Sequence, residues 1–142
     1  MKRGKEDIIM ARYIRAPDLE ELVRKIAENL SMHHIDPSRV KCVRSYQSKS
    51  LRVCARIHTA SRAFFTGIGF PPIYVIEFVS SNFDKLSEEE KIKVIIHELL
   101  HIPKSFGGGI ISHSKINFDE ECERLYKFLI NKVDTSLNPR NQ

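Results

Sequence analysis

The clearest hydrophobic pattern begins at Pro17. Leu19, Leu22, Val23, Ile26, Ala27 and Leu30 recur at the three- and four-residue spacing of a single helix face. Pro17 suits a first turn, and Asp18, Glu20 and Glu21 sit where the helix dipole favours acids. Upstream, residues 1–16 are charged and weakly patterned, an arm or a short strand. Downstream, Val40 to Tyr46 and Leu51 to His58 read as strands. The second alternates strictly, with Leu51, Val53, Ala55 and Ile57 against Arg52, Cys54, Arg56 and His58. The polar Gln47-Ser48-Lys49-Ser50 between them predicts a hairpin. Ala60 to Phe70 predicts a short helix and a loop, closed by Pro71-Pro72. Ile73 to Ser80 is apolar on both faces except at Glu77 and reads as a more buried strand.

The next segment has the strongest local signals. Ser87 with Glu90 three residues on forms a capping box, and Glu88, Glu89 and Glu90 load the positive end of a helix that starts near Glu88. It runs to about Ile102, before Pro103 and the glycines at 107–109. Ile92, Ile95, Ile96 and Leu99 form one stripe, and Val94, His97, Glu98 and His101 a second, so the middle turns are buried nearly all round. Residues 103–116 form a glycine-rich loop. Asn117 and Glu120 then cap a closing helix whose apolar face is Phe118, Cys122, Leu125, Leu129 and Val133.

These elements predict an α+β fold. A single domain spans 1–142, with 1–16 and 135–142 peripheral and a small mixed sheet packed on the three long helices. With 42% hydrophobic and 29% charged residues the composition is that of a globular protein. No apolar run approaches the roughly 18 residues of a membrane span, and the basic start lacks a following apolar region. The expected location is cytoplasmic. The three cysteines, Cys42, Cys54 and Cys122, are odd in number and lack a C-x-x-C, which favours buried or half-buried free thiols over a Cys42–Cys54 pair across the expected hairpin. The net charge of +5 permits a nucleic-acid or acidic partner without identifying one. Arg39, Lys41, Arg44, Lys49, Arg52 and Arg56 make the same ribbon the best candidate for a basic patch, against the plainer reading of a sheet with one wet face.

Candidate chemistry concentrates on the capped helix. His97-Glu98-Leu99-Leu100-His101 is an H-E-x-x-H pattern: the i, i+4 spacing places two imidazoles on one helix face, where they can hold zinc. Glu98 flanks that face and can act as general base towards water activated by the metal. Burial sharpens the argument, because two histidines and a glutamate in a buried segment need partners. Zinc needs a third protein ligand. His113, twelve residues after His101 and past the glycines, is the leading candidate, and Glu120 or Glu121 at the start of the last helix is the alternative. His33, His34 and His58 lack a partner at ligand spacing and read as surface residues.

Tyr74-Val-Ile-Glu77, Phe83-Asp-Lys-Leu-Ser-Glu-Glu-Glu-Lys91 and His97-Glu-Leu-Leu-His-Ile-Pro103, with Gly107 to Gly109 and His113, resemble the metallopeptidases found in archaea and phages. Asp36-Pro-Ser-Arg-Val-Lys-Cys-Val-Arg44 and Ser48-Lys49-Ser50 extend that resemblance over most of 17–133. A looser similarity is to the SprT-like zincins. The resemblance implies a minimal zincin-like fold, His97, His101 and His113 as zinc ligands, Glu98 as general base, and a peptide or protein substrate. Such a substrate would lie extended along a sheet edge, for which the strand from Tyr74 to Val79 is one candidate. Two other functions fit the same residues: a zinc-dependent nuclease, and a zinc-stabilised adaptor that binds nucleic acid through the basic hairpin.

Overall fold

Strand β1 (Arg12–Arg15) and strand β2 (Val40–Tyr46) form one side of a four-stranded sheet; β3 (Ala55–His58) and β4 (Tyr74–Val79) form the other. The order is β1-β2-β4-β3, with β2 and β4 parallel and both outer strands antiparallel to their neighbours. The computed structural model describes residues 12–46 and 52–137. The long helices are α1 (Pro17–Asn29), α4 (Glu88–Leu100) and α5 (Phe118–Leu137), and two short ones, α2 (Arg62–Ile68) and α3 (Ser80–Phe83), flank β4. The result is an α+β domain with a mixed sheet.

The expected hairpin does not form. β4 inserts between β2 and β3, so the two strands read as hairpin partners never pair. The second of them is also shorter, Ala55–His58, and the expected turn residues 47–50 and Leu51 lie outside the described residues. The physical reason is burial. β4 is the most apolar strand, and only a central position covers both its faces. Tyr74, Ile76 and Phe78 are fully buried against the helices, in one cluster with Val23, Ile26, Ile95 and Leu99. β4 is therefore an inner strand, and the open edge on its side is β3.

Of the basic residues of the expected ribbon, Arg39 pairs with Asp36, Arg44 with Asp18 and Arg56 with Glu77, Lys41 and Arg52 are exposed, and Lys49 lies outside the described residues. Glu77, directly across the ladder from Arg56, is fully buried. Its carboxylate accepts hydrogen bonds from Arg56 Nε at 2.9 Å and Nη2 at 3.2 Å, and meets His58 Nε2 at 2.8 Å. His58, exposed as expected, is thus the third member of a cluster around Glu77. Burial pushes the Glu77 carboxyl up, but Arg56 and His58, with Ser45 close by, outweigh it and hold it at about 2. Cys42, Cys54 and Cys122 are free thiols.

Helix α4 begins as its sequence dictates. Ser87 Oγ accepts from Glu90 N at 3.2 Å, and Glu90 Oε1 accepts from Ser87 N at 3.0 Å, both halves of the capping box. Lys93 on α4 reaches Glu123 on α5 at 2.7 Å, joining the two helices beside the site. The helix stops slightly earlier than expected, at Leu100, with His101 as its cap at φ −71° and ψ −16°. Those dihedrals are still helical, so the i, i+4 register of His97 and His101 survives.

Candidate metal centre

The glycine loop brings His113 back to the helix by three fixed contacts. Gly108 has φ +97°, and a Cβ there would lie 2.7 Å from the Ala60 carbonyl oxygen, so only glycine fits. Gly109 N donates to that same Ala60 oxygen at 2.9 Å. Tyr74, at the start of β4, accepts from Gly108 N at 3.0 Å and donates its hydroxyl to Gly109 O at 3.1 Å. Finally, Ile111 and His101 clamp each other. Ile111 N donates to the His101 carbonyl at 2.8 Å, and His101 Nδ1 lies 2.6 Å from the Ile111 carbonyl. His113 follows two residues later.

A carbonyl only accepts, so His101 Nδ1 carries the hydrogen and Nε2 keeps its lone pair. His97 Nε2 and His113 Nε2 stand 3.0 Å apart. Together the three histidines place one ligand atom each within 4.8 Å of the others, so the group can hold a metal ion. Two nitrogens of a tetrahedral zinc site at ordinary Zn–N lengths are separated by about 3.4 Å, so the donor set fits with only small adjustment. Burial, then the neighbouring imidazoles, pull the His97 pKa down to about 4, and burial lowers that of His101. Both are therefore neutral at pH 7, the form that coordinates.

Glu98 is 5% exposed and has no hydrogen-bond partner among the described residues. Burial alone pushes its carboxyl up to about 7. The two acids considered as alternative third ligands take other roles. Asn117 donates to Glu120 at 3.2 Å at the start of α5, and Glu121 accepts from Arg124 Nε at 2.6 Å. Neither belongs to the imidazole group. His33 is exposed and His34 half-buried, and neither is a member of the group.

Three contributors escaped the sequence reading. Phe118 is buried beneath all three imidazoles, with ring centroids 5.0 Å from His97, 4.5 Å from His101 and 4.9 Å from His113. Its signal was its place as the first residue after the α5 cap. The Tyr74 hydroxyl is the second: a buried phenol needs a partner, and the glycine loop supplies two. The third, the Ile111 carbonyl, leaves no trace in side-chain chemistry. On the open side of the site, residues 53–55 line a cavity of about 340 Å³ that also meets His97 and Glu98.

A family model described as "Putative phage metallopeptidase" matches residues 11–138, nearly the whole chain. The chain belongs to that family. The phage metallopeptidase family thus places a metal-dependent peptidase name on a chain whose three histidines converge on one point. No curated protein and no solved structure matches it significantly. Among the described residues, no helix is long and apolar enough to cross a membrane.

Proposed function

We propose that the protein is a zinc metallopeptidase of minimal zincin type, with His97, His101 and His113 as the metal ligands and Glu98 as the general base. The observation that carries this reading is the convergence of three imidazoles beside a buried carboxylate with no hydrogen-bond partner among the described residues. Zinc bound there would polarise a scissile carbonyl and make water a nucleophile at neutral pH. Glu98 takes the proton from the attacking water and delivers it to the leaving amine. His101 is held in its coordinating tautomer by the Ile111 carbonyl, and Phe118 fixes all three rings from below.

The substrate lies along the outer edge of β3. That edge has no strand partner among the described residues and borders the cavity at His97 and Glu98. An extended peptide there adds a strand to the sheet, gaining main-chain hydrogen bonds without a sequence requirement. Glu98→Gln is the test. The variant should keep stoichiometric zinc by metal analysis and lose hydrolysis of an unfolded protein substrate. Full activity in Glu98→Gln would reject Glu98 as the base. Cleavage of RNA with no cleavage of protein would reject the peptidase reading itself.

A further inference from the structure

We propose that the cavity beside His97 and Glu98 is a side-chain pocket that selects lysine or arginine in the substrate. That the ligand is a peptide rests on the peptidase reading; the preference for a cation rests on the pocket. Its walls are apolar: Val53 and Ala55 come from the β3 side, Val94 from α4 and Cys122 from α5. Such a wall receives a run of methylenes and offers nothing to a short polar side chain.

Its polar groups are mostly carboxylates. Glu98, Asp119 and Glu123 line the cavity against one ammonium, that of Lys93. Lys93 is already held between Glu89 at 3.1 Å and Glu123 at 2.7 Å. Asp119 has no ion-pair partner among the described residues, and Glu98, 5% exposed, has no hydrogen-bond partner. The pocket therefore inverts the sign of a chain whose net charge is +5. A long side chain with an apolar stem and a cationic head matches both features, the stem on the walls and the head at Asp119. An aspartate or glutamate would meet mainly like charge, because the one ammonium, Lys93, is already held by two carboxylates.

The test uses the zinc-loaded protein and alanine-rich hexapeptides that differ at one central position, carrying lysine, norleucine or glutamate. Binding is read by fluorescence anisotropy on Glu98→Gln, and cleavage on the unaltered protein. The lysine peptide should bind about tenfold tighter than norleucine, the scale of one charge-assisted hydrogen bond, with glutamate weakest. Asp119→Asn should bring lysine down to norleucine while leaving norleucine unchanged, and circular dichroism should show an intact fold. Lys93→Met should widen the preference. Equal binding of lysine and norleucine, a preference untouched by Asp119→Asn, or no binding of any peptide overturns the proposal. Lysine-selective binding without any cleavage would sustain the pocket and count against the peptidase reading. Cleavage without basic preference would do the reverse.

Discussion

Glu77 and Glu98 are the same residue type, both buried in one small domain, and their surroundings are opposite. Glu77 is enclosed by Arg56 and His58 and ionises at about 2; Glu98 has no hydrogen-bond partner among the described residues and ionises at about 7. Burial raises both carboxyls; at Glu77 the partners reverse that shift, and at Glu98 nothing opposes it. A sheet that supplies a guanidinium across the ladder turns a buried acid into a structural tie. A helix that gives the acid no hydrogen-bonding partner among the described residues leaves it chemically available.

The sharpest way to break this comparison is to neutralise each acid in turn. Glu98→Gln should lower hydrolysis by roughly 10²–10⁴, the usual share of a general base, and leave stability unchanged or slightly raised. Glu77→Gln should leave the residual rate of the folded protein near normal. It should cost about 2 kcal/mol of stability, because charge-assisted hydrogen bonds are lost while half-exposed Arg56 regains water. Urea unfolding and a peptidase assay on both variants decide it. If Glu77→Gln is the inactive one, the two assignments are interchanged.

The two sites should also separate by the loop on which only one depends. Gly108→Ala forces a Cβ against the Ala60 carbonyl and displaces the segment carrying His113. Zinc affinity, measured by competition with a chelator, should fall roughly 10–100-fold, the range seen when outer supports of metal sites are removed. The Glu77 cluster, on the sheet, should not respond. An unchanged zinc affinity would mean that His113 is not held by this loop.

Acid titration of the metal-free protein sharpens the contrast further. The folded pKa of Glu77 is depressed from an ordinary 4.5 to about 2. Its stabilisation is thus present above pH 4.5 and is lost as pH falls through 2. Glu98 is raised from 4.5 to about 7. It is neutral in both states at low pH, and its penalty grows between pH 4.5 and 7. The destabilisation by Glu77→Gln should shrink towards pH 2, whereas any gain from Glu98→Gln should appear only on going from pH 4.5 to 7. Parallel curves for the two variants would refute the opposed environments.

How much of this was written in the chain differs between the two acids. The Glu98 site was largely legible because its information is local: the Ser87–Glu90 box starts the helix, and the H-E-x-x-H spacing aligns two rings. His113 needed only a chain reversal, which three glycines announce. The Glu77 cluster was not legible, because Arg56 and His58 lie 21 and 19 residues away and face it only once β4 inserts beside β3. A polar run between two strand-like segments looks like a hairpin whatever strand later intervenes. Parallel pairing of β2 with β4 is set by burying the most apolar strand, a property of the whole sheet.

The smallest effect tests a contact that spans 34 and 35 residues, from Tyr74 to the glycine loop. Tyr74→Phe keeps the ring on Phe106, with centroids 5.0 Å apart, and removes only the hydroxyl. Gly108 N then loses its acceptor. Because Gly108 is only half-buried, water can replace part of the loss, so the cost is about 1 kcal/mol rather than the full penalty of a buried orphan. In a domain of this size that lowers the melting temperature by about 4 °C. The Ala60–Gly109 bond and the His101–Ile111 clamp remain, so zinc affinity should fall by only a few-fold, far less than in Gly108→Ala. A loss as large as that of Gly108→Ala would make the hydroxyl, and not the glycine conformation, the element that returns His113 to the helix.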